Sequence, residues 1–211
     1  MSRLFYGTGE FEVAQFGRRT ALEVIEMVMT AFDCVVPDGA GVYCSSDVTT
    51  GRRLYFEVYP RHGARSTEEL KDRLGPEDYK RVKGELIKSN IARCGEFAEL
   101  LRRRGLTNLI NPGPFVGLGF DQQHYHYLWE LVIVRKAHQS FFNEGWEYSN
   151  GCTLEYAISH RKGIPVFDHL GRPLPLAEAL RLIERAVADL KTNSISVPML
   201  ERNLELIREL D

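Results

Sequence analysis

The feature that most constrains this chain is alternation, since short apolar runs of strand character recur with helical stretches between them. Leu54-Tyr55-Phe56-Glu57-Val58-Tyr59 is rich in aromatic and β-branched residues and stops at Pro60, so it predicts a strand. A long polar helical stretch is expected over 66–104, broken near Gly75-Pro76 and closed at Gly105, where a left-handed backbone suits glycine. Beyond it the pattern predicts strands at 106–110, 139–143 and 163–167, with helices at 122–137 and 153–161 between them. Two further helices are expected at 176–190 and 197–210, the second with Leu200, Leu204 and Ile207 on one face. Strands joined through helices require crossovers, hence a mostly parallel sheet covered on both faces. Right-handed crossovers then give an α/β, Rossmann-like three-layer sandwich, with a sheet of about five strands.

The first 51 residues read as a separate N-terminal α+β extension, leaving 52–211 as the main domain. Phe11-Glu12-Val13-Ala14-Gln15-Phe16 alternates like a half-buried strand, and Leu22, Ile25, Val28, Met29 and Phe32 form one helical face. Cys34-Val35-Val36, the turn-rich Pro37-Asp38-Gly39-Ala40-Gly41 and Val42-Tyr43-Cys44 together predict a hairpin. A soft boundary follows at Gly51-Arg52-Arg53.

Sheets of this kind bind ligands beyond the carboxyl ends of their strands, which here points to loops 59–66, 111–121, 143–151 and 167–173. Neither G-x-G-x-x-G nor G-x-x-x-x-G-K-[ST] occurs, and Gly117-Leu118-Gly119 is an isolated G-x-G, which argues against a conventional dinucleotide dehydrogenase or P-loop ATPase. A formal charge of −2 argues against binding bulk nucleic acid through phosphate electrostatics, but leaves room for one nucleotide. The four cysteines are scattered, and His124 and His126, two apart on a helix, point to nearly opposite faces, so neither a metal nor a cofactor is expected. The longest wholly aliphatic run, 131–134, is far too short to span a membrane, and the first residues lack the apolar core of a signal peptide. A cytoplasmic protein is the expectation.

The stretch that bears on chemistry is Gly145-Trp146-Glu147-Tyr148-Ser149-Asn150-Gly151-Cys152-Thr153-Leu154-Glu155. It follows an expected strand and opens an expected helix, which Ser149 or Asn150 can cap and where Gly151 allows close approach to the backbone. Helix starts attract anions such as phosphate or carboxylate, and a carboxylate one turn in, Glu155, would be held rigidly and kept ionised. The alternative is that Glu155 only stabilises the helix dipole. Phe115, Trp129 and Trp146 suit stacking on a planar ligand or packing in the core.

The run Gly145-Trp146-x-x-Ser149-x-Gly151-x-x-x-Glu155, with Ala157 and Gly163-Ile164-Pro165-Val166, resembles the nucleoside 2-deoxyribosyltransferase-like superfamily, which includes the 2′-deoxynucleoside 5′-phosphate N-hydrolases. The resemblance covers about 54–170. It implies that Glu155 attacks the anomeric carbon of a (deoxy)ribosyl group, and that Ser149, with the Gly151 backbone, holds a 5′-phosphate. It also implies a second acid on the preceding helix, which falls on Glu130, where the family has aspartate, with Asp121 as the fallback. Asn111 matches the family's second-strand ending beside sugar and base. The family's first strand ends in glycine and small residues, where this chain is read as having Tyr59-Pro60-Arg61-His62-Gly63, with Arg61 a phosphate partner or a surface arginine. Asn150, Trp146, Phe115 and Tyr59 complete the expected substrate contacts. The activity implied is N-glycosidic cleavage or pentosyl transfer on a nucleoside or nucleoside 5′-monophosphate, in a homodimer or larger homo-oligomer. The alternatives are an NAD glycohydrolase-type enzyme or a non-catalytic nucleotide sensor.

Overall fold

The structure, a computed structural model, describes residues 15–16, 19–118 and 120–210. The strand expected at 11–16 lies mostly outside them. Its last two residues form β1 (Gln15–Phe16), antiparallel to β2 (Arg19–Thr20). Thr20 then caps α1 (Ala21–Val35) through a reciprocal pair of bonds with Glu23, and Ala21, Ile25, Met29 and Phe32 form its buried face.

The fold is α/β. Four parallel strands form one sheet: β3 (Gly41–Ser45), β4 (Leu109–Ile110), β5 (Ala137–Phe142) and β6 (Val166–Asp168), in spatial order β4-β3-β5-β6. Among the described residues the sheet therefore has four strands, where about five were expected. Two expectations are corrected by its inner strand. The hairpin expected around 34–44 does not form, because Val35 ends α1 and β3 pairs in parallel on both sides instead. Residues 41–45 thus lie at the centre of the sheet, although they precede the boundary placed at 51. Gly41 is needed there, since a Cβ would meet the Lys136 carbonyl oxygen at 2.9 Å.

The second correction concerns 54–59, read as the first strand. These residues are helical: a π-helical turn (Leu54–Val58) runs into α2 (Tyr59–Arg61). Leu54, Tyr55, Val58 and Tyr59 are buried while Glu57 is exposed, which is a helical spacing and not the alternation of a strand. The tertiary burial of that face overrides the β-propensity of its residues.

The chain continues into α3 (Thr67–Arg103), capped by Ser66 and kinked where Gly75 takes φ 70° just before Pro76, as expected. Next come a 3₁₀ turn (Gly113–Leu118), α4 (Gln122–Lys136), a 3₁₀ turn (Trp146–Tyr148), α5 (Asn150–Arg161), α6 (Leu176–Thr192) and α7 (Pro198–Arg208). Successive residues of β3 serve opposite faces of the sheet. Val42 and Cys44 pack on Phe97, Ala98 and Leu101 of α3, while Tyr43 packs with Leu128, Trp129 and Val132 of α4 and Leu154 and Ile158 of α5. Helices α6 and α7 add a further core around Tyr156, Ile183, Leu200 and Ile207. No helix of the described residues is long and apolar enough to cross a membrane.

Candidate active site

From β3 the chain crosses to β4 on one side and, after β4, returns over β3 to β5 on the other. The order of strands reverses there, so the ends of β3 and β5 flank the crevice in which such sheets place ligands. Ser45 ends β3, and the chain leaving β5 enters α5 through the tryptophan loop. Ser149 is the N-cap of α5, its Oγ accepting from the Cys152 amide at 3.4 Å. Thr50 supports the same helix start, accepting the Asn150 amide at 3.1 Å and lying 3.5 Å from Ser149 Oγ.

Glu155 sits beneath that helix start and is 8% exposed. Tyr43 Oη donates to its Oε1 at 2.9 Å, and Ser45 Oγ donates to its Oε2 at 2.6 Å. Both donors come from β3, so each oxygen of the carboxyl is fixed by the strand facing its helix. Burial pushes the acid up from its ordinary 4.5 to about 7, against the two hydrogen bonds, which favour the charged form. Against the expectation that the helix start keeps Glu155 ionised, burial raises it to about 7, outweighing the hydrogen bonds from Ser45 and Tyr43.

Glu155 lines a cavity of about 340 Å³. This falls at the low end of the roughly 300–1,000 Å³ usual for small-molecule sites. Ser149, Gly151 and Cys152 of α5 and its cap form one wall, and Gln122, Tyr125, His126 and Trp129 of α4 form another. Ser46, Val48 and Thr49 from the loop after β3, Pro112 and Val116 after β4, and Lys83 and Ile87 of α3 close the remainder. Burial pushes His126 down to about 4, so its imidazole is neutral at physiological pH.

Of the residues singled out in the sequence, the structure brings Glu155, Ser149, Gly151, Trp129 and Asp121 to this cavity. Asp121 is exposed, caps α4, and accepts from the His124 amide at 2.9 Å. Glu130 goes elsewhere: it is wholly buried, 3.2 Å from the guanidinium of Arg161, and is absent from the cavity wall. Asn150 contributes its backbone, its carbonyl accepting from Asn203 Nδ2 at 2.8 Å. Asn111 closes a tight turn by accepting the Gly113 amide at 3.0 Å, and its neighbour Pro112 lines the cavity in its place.

Trp146 is a core residue, packed at 5.0 Å on Phe142 and 5.2 Å on Tyr156. Phe115 stacks on Phe32 and meets the edge of Trp129, outside the cavity wall. Tyr59 is buried in α2 against Thr67, and Arg61 is exposed on the same short helix, both away from the cavity because 54–59 is not a strand. Sequence reasoning misses Tyr43 and Ser45, which hold the carboxylate, for the same reason: a hairpin reading of 34–44 hides the inner strand. The residues at the end of the true inner strand are the small Ser45 and, directly after it, Ser46.

Among the described residues no group of histidine, cysteine, aspartate and glutamate side chains is placed to hold a metal ion. No family model matches this chain, and neither the curated proteins nor the solved structures contain a match.

Proposed function

We propose that this protein cleaves the N-glycosidic bond of a nucleoside or nucleoside 5′-monophosphate, by hydrolysis or pentosyl transfer, with Glu155 as the nucleophile, in a Rossmann-like domain. The observation that carries the reading is the Glu155 carboxylate, buried at the switch point of a parallel sheet, held by two hydroxyls and open to a cavity of mononucleoside scale. A carboxylate in that setting suits an electrophilic carbon that builds positive charge, as C1′ does when its bond to a base nitrogen lengthens.

A Glu155 oxygen forms a bond to C1′ while the C1′–N bond breaks and its electron pair leaves with the base. Water or a free second base, giving up its proton to the departed base anion or to solvent, then displaces the glutamyl ester at C1′ and regenerates the carboxylate. The departing nitrogen needs a proton or a hydrogen-bond donor. Asp121 is the acid of the two expected that borders the cavity, and Glu130 is reassigned to structure. Ser149 and Gly151 at the start of α5, with Thr49 also on the cavity wall, suit a 5′-phosphate. The small residues after β3 agree with the family resemblance once the inner strand is assigned to 41–45.

The test is release of free base from a panel of ribo- and deoxyribonucleosides and their 5′-monophosphates, with NAD included. Turnover on at least one mononucleoside, lost in Glu155→Gln, is expected. Nicotinamide release from NAD alone would replace this reading with the glycohydrolase one. A folded protein that releases no base from any of them would reduce the site to a nucleotide sensor.

A further inference from the structure

A helix start leaves its first N–H groups without partners in the helix, whereas its carbonyls accept from the turn above. At the start of α5, local hydroxyls take two of those amides: Asn150 donates to Thr50 Oγ1 at 3.1 Å and Cys152 to Ser149 Oγ at 3.4 Å. The Gly151 N–H between them has no acceptor among the described residues. Gly151 lines the cavity, and a Cβ built on it would meet only Ser149 Oγ, at 3.9 Å, so packing does not call for a glycine. The bare backbone instead leaves room for an acceptor beside that N–H.

The same peptide unit is held at its carbonyl by a residue remote in sequence. Asn203 of α7 is 2% exposed, and its Nδ2 donates to the Asn150 carbonyl at 2.8 Å and to Thr153 Oγ1 at 2.9 Å. A carbonyl only accepts, so the Asn203 amide can stand only this way round, with both of its N–H groups committed. Thr153 Oγ1 passes its own proton to the Ser149 or the Asn150 carbonyl, at 3.0 and 3.2 Å. Leu200, Leu204 and Ile207 seat α7 in the core that also contains Tyr156 and Ala157 of α5. A leucine at 203 would fill the same space without burying an amide, and the helix ladder already supplies the Asn150 carbonyl with a donor. The extra bond polarises the Asn150–Gly151 peptide, since a donor at the carbonyl oxygen makes the N–H of that unit a stronger donor.

Resting on the glycosidic reading above, we propose that Asn203 is a positioning residue through which α7 holds and polarises the Asn150–Gly151 peptide. The Gly151 N–H then receives a phosphate oxygen of the substrate, and 5′-monophosphates are favoured over nucleosides. The first readout needs no turnover. Protein grown with isotope-labelled glycine has 18 glycines to resolve by NMR, and the Gly151 signal is the one missing from Gly151→Ala. Titration with inorganic phosphate should move the Gly151 amide proton downfield. Asn203→Ala should weaken that binding about fivefold, a part of what a hydrogen bond to a charged group contributes. The second readout is kcat/KM for each 5′-monophosphate divided by that for its nucleoside. The ratio should exceed one in wild type and fall about fivefold in Asn203→Ala.

Thr153→Val separates this role from a general loosening of α5. It removes one acceptor of Asn203 and leaves the bond to the Asn150 carbonyl, so it should lower stability yet keep the ratio within about twofold of wild type. An equal fall in Thr153→Val, a ratio that Asn203→Ala does not move, or a Gly151 amide that phosphate does not shift would each overturn the proposal. Should Asn203→Ala not fold, Asn203→Leu, which keeps the side-chain volume without either donor, takes its place. Base release from nucleosides and monophosphates at equal kcat/KM would overturn the phosphate role while leaving the glycosidic reading intact. A phosphate shift at Gly151 that depends on Asn203, with no base release from wild type, would uphold the positioning role and overturn the chemistry.

Discussion

Replacing Glu155 by glutamine tests the electrostatics of the site without relying on any substrate. Burial raises this acid from 4.5 to about 7, so between those values the folded protein holds a proton that the unfolded chain has released. Stability from this group is therefore fully present below pH 4.5, falls as pH rises, and is gone above about 7. At 1.36 kcal/mol per pH unit, the cost of the charged form approaches about 3 kcal/mol at pH 8, of which about 2–3 accrues between pH 5 and pH 8. The glutamine would keep the volume and the bonds to both hydroxyls, one of which turns to accept from the amide, without carrying charge.

The comparison must be made variant against wild type at each pH, because His126 acts in the opposite sense. Its depression from 6.5 to about 4 removes stability as pH falls through that interval. Urea unfolding of both proteins at pH 5, 6.5 and 8 gives the difference directly. Glu155→Gln should gain on wild type by about 2–3 kcal/mol from pH 5 to pH 8. A difference that stays level across that range would refute the claim that the carboxylate is desolvated.

Other outcomes follow from the same geometry. Tyr43→Phe and Ser45→Ala each remove a donor that favours the charged carboxylate, so the rising limb of base release against pH, expected near 7 in the wild type, should move to higher pH in both; a limb that stays in place would separate Glu155 from the rate. Arg161→Leu leaves Glu130 buried without its guanidinium and should cost about 3–5 kcal/mol in urea unfolding. Glu130→Gln should lower stability as well, yet the folded fraction should still release base, whereas a folded but inactive Glu130→Gln would restore the catalytic role implied by resemblance. Asn203→Ala removes the bonds from α7 to the Asn150 carbonyl and Thr153 Oγ1, at 2.8 and 2.9 Å, and should cost about 1–3 kcal/mol by thermal or urea denaturation.

The later two thirds of the fold are readable because their elements are punctuated. Ser66, Asp121 and Ser149 cap helices where the pattern places helix starts, and Gly75-Pro76 breaks α3 where expected. Periodicity also separates α6 from α7. The misreading of the first strand is local. Five buried residues at 41–45, covered on both faces, carry no alternation that marks them as a central strand, while the aromatic 54–59 run imitates one. Shifting the first strand costs the site its two carboxylate partners and sends Tyr59 and Arg61 to a cavity that they do not reach. Glu155 remains legible because its signal is a cap, a glycine and an acid close together at one helix start. Glu130 is misplaced because α4 buries residues on nearly every side, so its sequence does not show which face meets the cavity.

The central claim, that Glu155 bonds to a sugar carbon, is tested most directly by trapping that bond. Wild-type protein is incubated with 2′-deoxy-2′-fluoro-arabino nucleosides and their 5′-monophosphates, whose fluorine slows release of the ester, then quenched in acid and digested. Peptide mass spectrometry should find one added fluoropentosyl group on the peptide spanning 150–161, localised to Glu155 and missing from Glu155→Gln. Free base released with an unmodified Glu155, or a sugar found on another residue, would contradict it.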